Sequence, residues 1–469
     1  MKYKELICFL ALSIIVVLFS LDVGMFWDNV LHGSHRGSYL FQYGISEWGS
    51  IPLGIDNGHP PFLAIWLAAG WKIFGRSLAV SHWLMLPFVF GLVYQLYKFV
   101  SFFVKEKYSR GAAFILVLAD PTLLSQLVLI NPEVIQSFFF FLALNSILTP
   151  NRILKIIGLS LLGLVTFRGM MLCAGLFVVD ILIFKLIRKQ SFKNFFSPKE
   201  VVTYLISASP AMLYVIWRLV TKNWLISHPL KIYGDSMEFS SFIDFMSNFG
   251  RNILVLGYQF TDFGRMSLLV FILFTLYVKR KHIRWERYNY LILIAIFSTV
   301  VIYTVSLVIR NTMGHRYYLV SYLSLALLAF MLLKEYKSKK VIYSILLTSL
   351  LAGNFIVYPD WLAQGWDSSL AHLSYWDLRK QMLNYMEAQK IPIAETESFF
   401  PNNTSIDDID LNGDMRSFEY FVGSKKYVFY SNVYNPKDDE LLLLHKNYKI
   451  LKTFTNNNVR VELMEKVKE

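Results

Sequence analysis

The sequence predicts a polytopic α-helical membrane protein whose last crossing is followed by a small α/β domain. Three observations carry that expectation. Hydrophobic residues fill 55% of 469 positions and charged residues only 17%, against roughly 45–50% and about 25% in soluble domains. Apolar segments of near-spanning length recur as far as residue 358, separated by short polar or basic stretches, as expected of a chain dissolved in a bilayer. Charge is also divided: residues 359–469 carry 13 Lys and Arg against 17 Asp and Glu, a net −4, so with +13 for the whole chain residues 1–358 carry +17.

Apolar length sets about eleven spans, at 6–21, 77–103, 112–130, 133–148, 153–167, 170–187, 201–220, 266–278, 288–309, 317–333 and 341–357. Lys2 and Lys4 precede the first. With no small-x-small cleavage pattern before Asp22, that segment reads as an uncleaved span and not a signal peptide. Pro60 to Gly75 would reach only about 24 Å as a helix, short of a core of about 30 Å, and reads as interfacial. The clusters Lys105/Lys107/Arg110, Arg152/Lys155, Arg188/Lys189/Lys193, Lys279/Arg280/Lys281/Arg284 and Lys334/Lys337/Lys339/Lys340 then share one side with Lys2 and Lys4. The positive-inside rule makes that side cytoplasmic. A loop at 22–76, containing the interfacial helix 60–75, a second loop at 221–265 and everything after Tyr358 are expected outside.

The division is thus a transmembrane domain at 1–358 and a soluble extracytoplasmic domain at 359–469. In the latter, Trp376 to Ala388 has helical periodicity. Lys426 to Ser431, Tyr448 to Phe454 and Asn458 to Met464 read as strands, the last two joined by an Asn-rich turn. Basic clusters between apolar spans report topology and not nucleic acid, so no nucleic-acid partner is expected. Cys8 and Cys173 both sit in apolar segments and suggest neither a disulfide framework nor a thiolate metal site. No internal repeat is evident, which weakens an inverted-repeat transporter.

Candidate chemistry lies in the loop after the first span. Asp22 ends that span and Asp28 follows. A carboxylate at the low-dielectric edge gains the basicity of a general base, although Asp22 reads equally as the water boundary of the helix. Asp56-Asn57-Gly58-His59-Pro60-Pro61 runs into the interfacial helix, where Asp56 and His59 serve as capping and solvent-facing groups or as catalytic ones. In Asn131-Pro132-Glu133 the asparagine caps, the proline takes the first helical position and the acid suits the helix dipole. Asp120, apparently inside a span, is costly unless it meets a polar cavity or a break in the helix. Arg168, Arg310, Arg316, Lys222, Lys231, Arg251 and Arg265 supply outer-side cations, many of them interface anchors.

The order of these features resembles the GT-C glycosyltransferases, in particular the dolichyl-phosphate-mannose protein mannosyltransferase and aminoarabinose transferase relatives. Those families place an acid after the first span, then a basic-or-His-Pro-Pro segment ending in Phe-Gly, as Asp22, His59-Pro60-Pro61 and Phe74-Gly75 do here. Asn131-Pro132-Glu133, Thr166-Phe167-Arg168 and His315-Arg316-Tyr317-Tyr318 are similar to their later steps. Two departures stand out: Asp22-Val23 replaces an Asp-Glu pair, and Asn-Pro-Glu replaces Arg-Pro-Asp.

The resemblance implies transfer of sugar from a polyprenyl-phosphate donor to an extracytoplasmic hydroxyl on a glycan, lipid or protein, in a bacterial inner or plasma membrane. Within it, Asp22 and Asp56 are the expected catalytic residues. Arg168, Arg316 and His59 would bind the donor phosphate, with Glu133 and Asp28 as supporting acids. A divalent cation is compatible with these residues, but the sequence shows no coordination set. A transporter or lipid flippase is the rival reading, and a receptor using residues 359–469 as its binding module is the third.

Overall fold

The computed structural model describes residues 3–225, 228–230, 239–283, 285–306, 310 and 313–467. Lys2, Lys231 and Arg284, singled out above, lie outside the described residues.

The first helix, α1 (Tyr3–Ser20), gives way to a loop in which a π-helical turn, Val30–His35, runs into α2 (Arg36–Tyr43). The segment expected at the interface forms α3 (Phe62–Phe74), entered through Pro60-Pro61 and ended at Gly75, whose φ of +88° is left-handed and suits glycine. Its 13 residues reach about 20 Å. Ser77 caps α4 (Leu78–Phe103), accepting from the Val80 N–H at 3.3 Å.

The span expected at 112–130 is broken. It comprises α5 (Lys107–Leu118) and α6 (Pro121–Leu127), and α6 is bent by 114° from α7 (Pro132–Leu148). Asp120 makes the break: its carboxylate accepts from the Thr122 and Leu123 N–H groups at 3.0 and 3.2 Å. Arg265 donates to both its oxygens at 2.8 Å. A buried carboxylate persists where it is paired and hydrogen-bonded, and here both conditions hold.

Next come α8 (Arg152–Val165), α9 (Phe167–Leu182), the short α10 (Phe192–Phe195) and α11 (Pro198–Lys222). The segment 221–265, expected as an outer loop, contains α12 (Phe242–Thr261), bent by 95° from α13 (Arg265–Val278). Its pattern explains the miss: Phe242, Ile243 and Leu254 are exposed while Asn248, Asn252 and Gln259 are buried. A helix that turns its polar stripe inward has too low a mean hydropathy to stand out as a span. The membrane part closes with α14 (Asn289–Ser306), α15 (Leu319–Leu332) and α16 (Lys339–Gly353). Among the described residues, five helices are long and apolar enough to cross a membrane, or seven when each bent pair counts as one span.

After residue 358, α17 (Leu373–Ala388) packs on a five-stranded sheet of order β2-β1-β3-β5-β4. The strands are β1 (Thr396–Ser398), β2 (Glu419–Tyr420), β3 (Tyr427–Ser431), β4 (Tyr448–Asn456) and β5 (Val459–Lys466), with α18 (Ile406–Asp410) and α19 (Asp438–Asn447) between them. β1 runs parallel to β2 and β3, whereas β5 is antiparallel to β3 and β4. Asn457 and Asn458 join β4 to β5 with φ of +50° and +64°, the tight turn that asparagine favours.

This unit is joined to the loop after α1. The Met25 N–H donates to the Ile409 carbonyl at 2.9 Å, and Arg76 grips both oxygens of Asp407 at 2.8 and 2.7 Å. Thr122, Ser125 and Gln126 donate to the carbonyls of Asp367 and Ser368, tying the segment before α17 to α6.

Candidate functional site

The site is assembled at the N-terminal ends of α7 and α9 and at the start of α15. Asn131 caps α7 by accepting from the Val134 N–H at 3.0 Å, and this aims Glu133 inward. Thr166 does the same for α9: its hydroxyl accepts from the Gly169 N–H at 3.0 Å and donates to Gln136 at 2.6 Å, fixing Arg168 in the first turn. Arg316 enters on the 3₁₀ turn His315–Tyr318 that leads into α15.

These three side chains meet. Arg168 Nη2 lies 2.5 Å from Glu133 Oε1, and Arg316 Nε lies 3.3 Å from the same oxygen. The Arg168 guanidinium stacks on the Tyr317 ring at 3.9 Å. The two Nη atoms of Arg316 reach Asp28 and Asp367. Glu133 is 4% exposed, whereas Asp28 is 39% exposed and open to an incoming molecule. Arg168 Nε is buried and has no hydrogen-bond partner among the described residues.

The loop 30–59 forms the neighbouring wall. The Asp56 carboxylate accepts from the Gly58 N–H at 3.0 Å, and Asn57 Oδ1 accepts from the His59 N–H at 3.2 Å. Gly58 takes φ +86° in this turn. Asn57 Nδ2 donates to His32 Nδ1 at 3.0 Å, and the Phe167 N–H donates to His59 Nδ1 at 3.3 Å. An imidazole that accepts at Nδ1 carries its proton on Nε2. The two rings lie 5.1 Å apart, and Arg36 donates to the His59 carbonyl at 2.8 Å. Burial holds both histidines well below their ordinary value. His59 is lowered further by Arg168, Arg36, Arg218 and Arg316, and His32 by His59, Arg36, Arg168 and Arg316. Both are therefore neutral at physiological pH.

The expected site residues thus separate. Arg168, Arg316, Glu133 and Asp28 converge, with His59 beside them. Asp56 is 4% exposed and is held by Arg218 at 3.1 Å, so its carboxylate orders the turn that presents His59. Asp22 is exposed and lines a different hollow, with Trp376, Arg379 and Asp410. No hydrogen bond or ion pair joins Asp22 to either arginine. Between the two, the Met25 N–H is bonded to the Ile409 carbonyl, and turns at residues 21–22 and 27–28 flank that stretch.

Three participants were missed by sequence reasoning. His32 and Arg36 are spaced i, i+4, a signal for one helix face that a loop assignment hides. Asp367 gave no signal, because it reaches Arg316 from 51 residues away. Among the described residues, no group of three or more His, Cys, Asp or Glu is arranged to hold a metal ion. Asn402 is fully buried and bonded to Arg379 and Ser398.

No family model and no curated protein matches the sequence. Among solved structures, the chain is similar to ArnT from Cupriavidus metallidurans bound to undecaprenyl phosphate. The TM-score is 0.53 at 11% identity, over 99% of this chain and 98% of that one. The apo state of the same protein aligns at a TM-score of 0.48 and 11% identity, over 98% of each chain. The first of these likenesses shows the fold alone: the chain shares the fold of ArnT along its whole length. The fold resemblance read from the order of short motifs is therefore present in three dimensions, and the chain is an integral membrane protein.

Proposed function

We propose that this protein transfers a sugar from a polyprenyl-phosphate-linked donor to an acceptor hydroxyl on the extracytoplasmic side. The observation that carries the reading is the convergence of Arg168 and Arg316 on one carboxylate, Glu133, beside the half-exposed Asp28. Departure of a phosphate from the anomeric carbon develops negative charge on its oxygens, and fixed guanidiniums in a water-poor site stabilise that charge. Neutral imidazoles at His32 and His59 add donors without competing cations. The ArnT structure, bound to undecaprenyl phosphate, supports the same carrier class for this fold.

Room for the carrier's tail exists. An apolar groove of about 440 Å³ between α8, α9 and α11 is lined by Met170, Cys173, Phe177, Ala211 and Val215, and Met170 lies two residues from Arg168. In the proposed step, the acceptor oxygen attacks the anomeric carbon and the bond from that carbon to the phosphate oxygen breaks. The phosphate leaves with the electron pair, paired to Arg168 and Arg316. The acceptor proton passes to Asp28, which replaces Asp22 as the proposed base because it is the accessible carboxylate beside the arginines.

The test is transfer from a synthetic polyprenyl-phosphate sugar in nanodiscs. Asp28→Asn keeps the shape and removes the base, so activity should fall by about 10²–10⁴-fold. Asp22→Asn should stay within about threefold of wild type, small beside that range. Loss in Asp22→Asn with retention in Asp28→Asn would return the base to Asp22.

A further inference from the structure

The helices that build the donor site carry a second polar cavity at their other ends. We infer that this cavity binds the phosphate headgroup of an anionic phospholipid. It measures about 440 Å³ and lies where α7 ends, α8 and α11 begin and α9 runs out. The 14 residues of α8 separate it from Thr166 and Arg168 by about 21 Å. It is therefore distinct from the proposed donor site.

Its floor is a satisfied network. Lys155, 7% exposed, lies 3.2 Å from Asp180 and 2.7 Å from Glu200, and the Tyr204 hydroxyl donates to Asp180 at 2.6 Å. Three further cations line the cavity: Arg152, Arg188 and Lys199. None of the three pairs with a carboxylate among the described residues. Two are nonetheless held in place. Arg152 Nε donates to the Thr203 hydroxyl at 2.7 Å, and Arg188 Nη2 donates to the Ile147 carbonyl at 2.6 Å. Positioned guanidiniums with spare donors and no counter-charge suit phosphate oxygens.

The surroundings choose a lipid over a soluble anion. Ile153, Val201, Val202 and Leu205, beside the cavity on α8 and α11, are exposed by 70%, 38%, 44% and 62%. A dissolved phosphate would leave this apolar rim uncovered, whereas acyl chains cover it. The basic clusters also lie at this end, which the positive-inside rule assigns to the cytoplasmic leaflet with its anionic lipids.

Native mass spectrometry tests this on the full chain, released from nanodiscs of equal phosphatidylglycerol and phosphatidylcholine with no polyprenyl lipid present. The donor site is then not read. Wild type should retain phosphatidylglycerol preferentially. The double variant Arg152→Gln, Lys199→Gln changes two exposed side chains, and should lower that preference by about 30-fold, the effect of two basic residues near a headgroup. A control double variant, Lys334→Gln, Lys337→Gln, should leave it unchanged. Equal retention of the two lipids by wild type would overturn the proposal. So would an equal loss in the control, an undiminished preference in the first variant, or displacement of the lipid by millimolar inorganic phosphate.

Discussion

Glu133 is the residue on which the site turns. Alone it would be an uncompensated charge at 4% exposure, and it persists because Arg168 and Arg316 both face it. Glu133 was legible through a capping Asn, a helix-opening Pro and an acid in the first turn, whereas Arg168 and Arg316 were singled out by the resemblance and by the fit of guanidinium to phosphate. Asp28 was read as a supporting acid and Asp22 as the base; their separation in the fold goes with a backbone bond from Met25 to Ile409. No local pattern encodes a partner nearly four hundred residues away. The buried His372 yields a prediction at this scale. It stacks on Phe26 at 5.0 Å and meets the Ser125 hydroxyl at 3.1 Å, and burial pushes it down to about 3. A histidine lowered in the fold is protonated first in the unfolded chain, so its contribution is intact above its ordinary value of about 6.5 and is lost as pH falls below it. Between pH 7.5 and 5 this amounts to about 2 kcal/mol. Melting curves at the two pH values should show a larger acid loss in wild type than in His372→Gln, and equal losses would remove His372 as the source.

Among the elements, continuous apolar helices were read well and interrupted ones poorly. The break at Asp120 needs Arg265, supplied by a helix 145 residues later, and α12 hides its identity by burying amides and exposing aromatic and aliphatic side chains. The hairpin of β4 and β5 was legible through Asn457-Asn458. In contrast, β1 and β2 have three and two residues and pair in parallel, leaving no local period to detect. The docking of α18 against the first loop makes an element-level prediction. Arg76 and Asp407 are 15% and 9% exposed, so Asp407→Ala strands a guanidinium and should destabilise by about 3 kcal/mol. Asp414→Ala breaks a pair whose arginine is 58% exposed and should cost about 1 kcal/mol or less. Thermal melts of the two variants check this, and equal shifts would show that the contact between the units contributes little.

For the whole molecule, composition and the order of motifs together were enough to read a polytopic helical membrane fold with a small α/β domain after it, and the likeness to the ArnT fold spans the chain at only 11% identity. A shared fold at that identity is expected when the pattern of hydropathy, and not particular side chains, defines a helical bundle. What the sequence did not reveal is how the unit after residue 358 takes part. Asp367 brings it into contact with Arg316, so the proposed donor site includes a segment beyond the last membrane helix. The central claim is that Arg168 and Arg316 hold the phosphate of a polyprenyl carrier. Its most direct test is the affinity of the full chain in nanodiscs for undecaprenyl phosphate, compared with Arg168→Lys and Arg316→Lys. Charge is kept in both variants while the fixed guanidinium geometry is lost, so each should bind about tenfold or more weakly, the loss of a charge-assisted hydrogen bond. Unchanged affinity in both variants would contradict the account and leave the two arginines as ties to Glu133, Asp28 and Asp367.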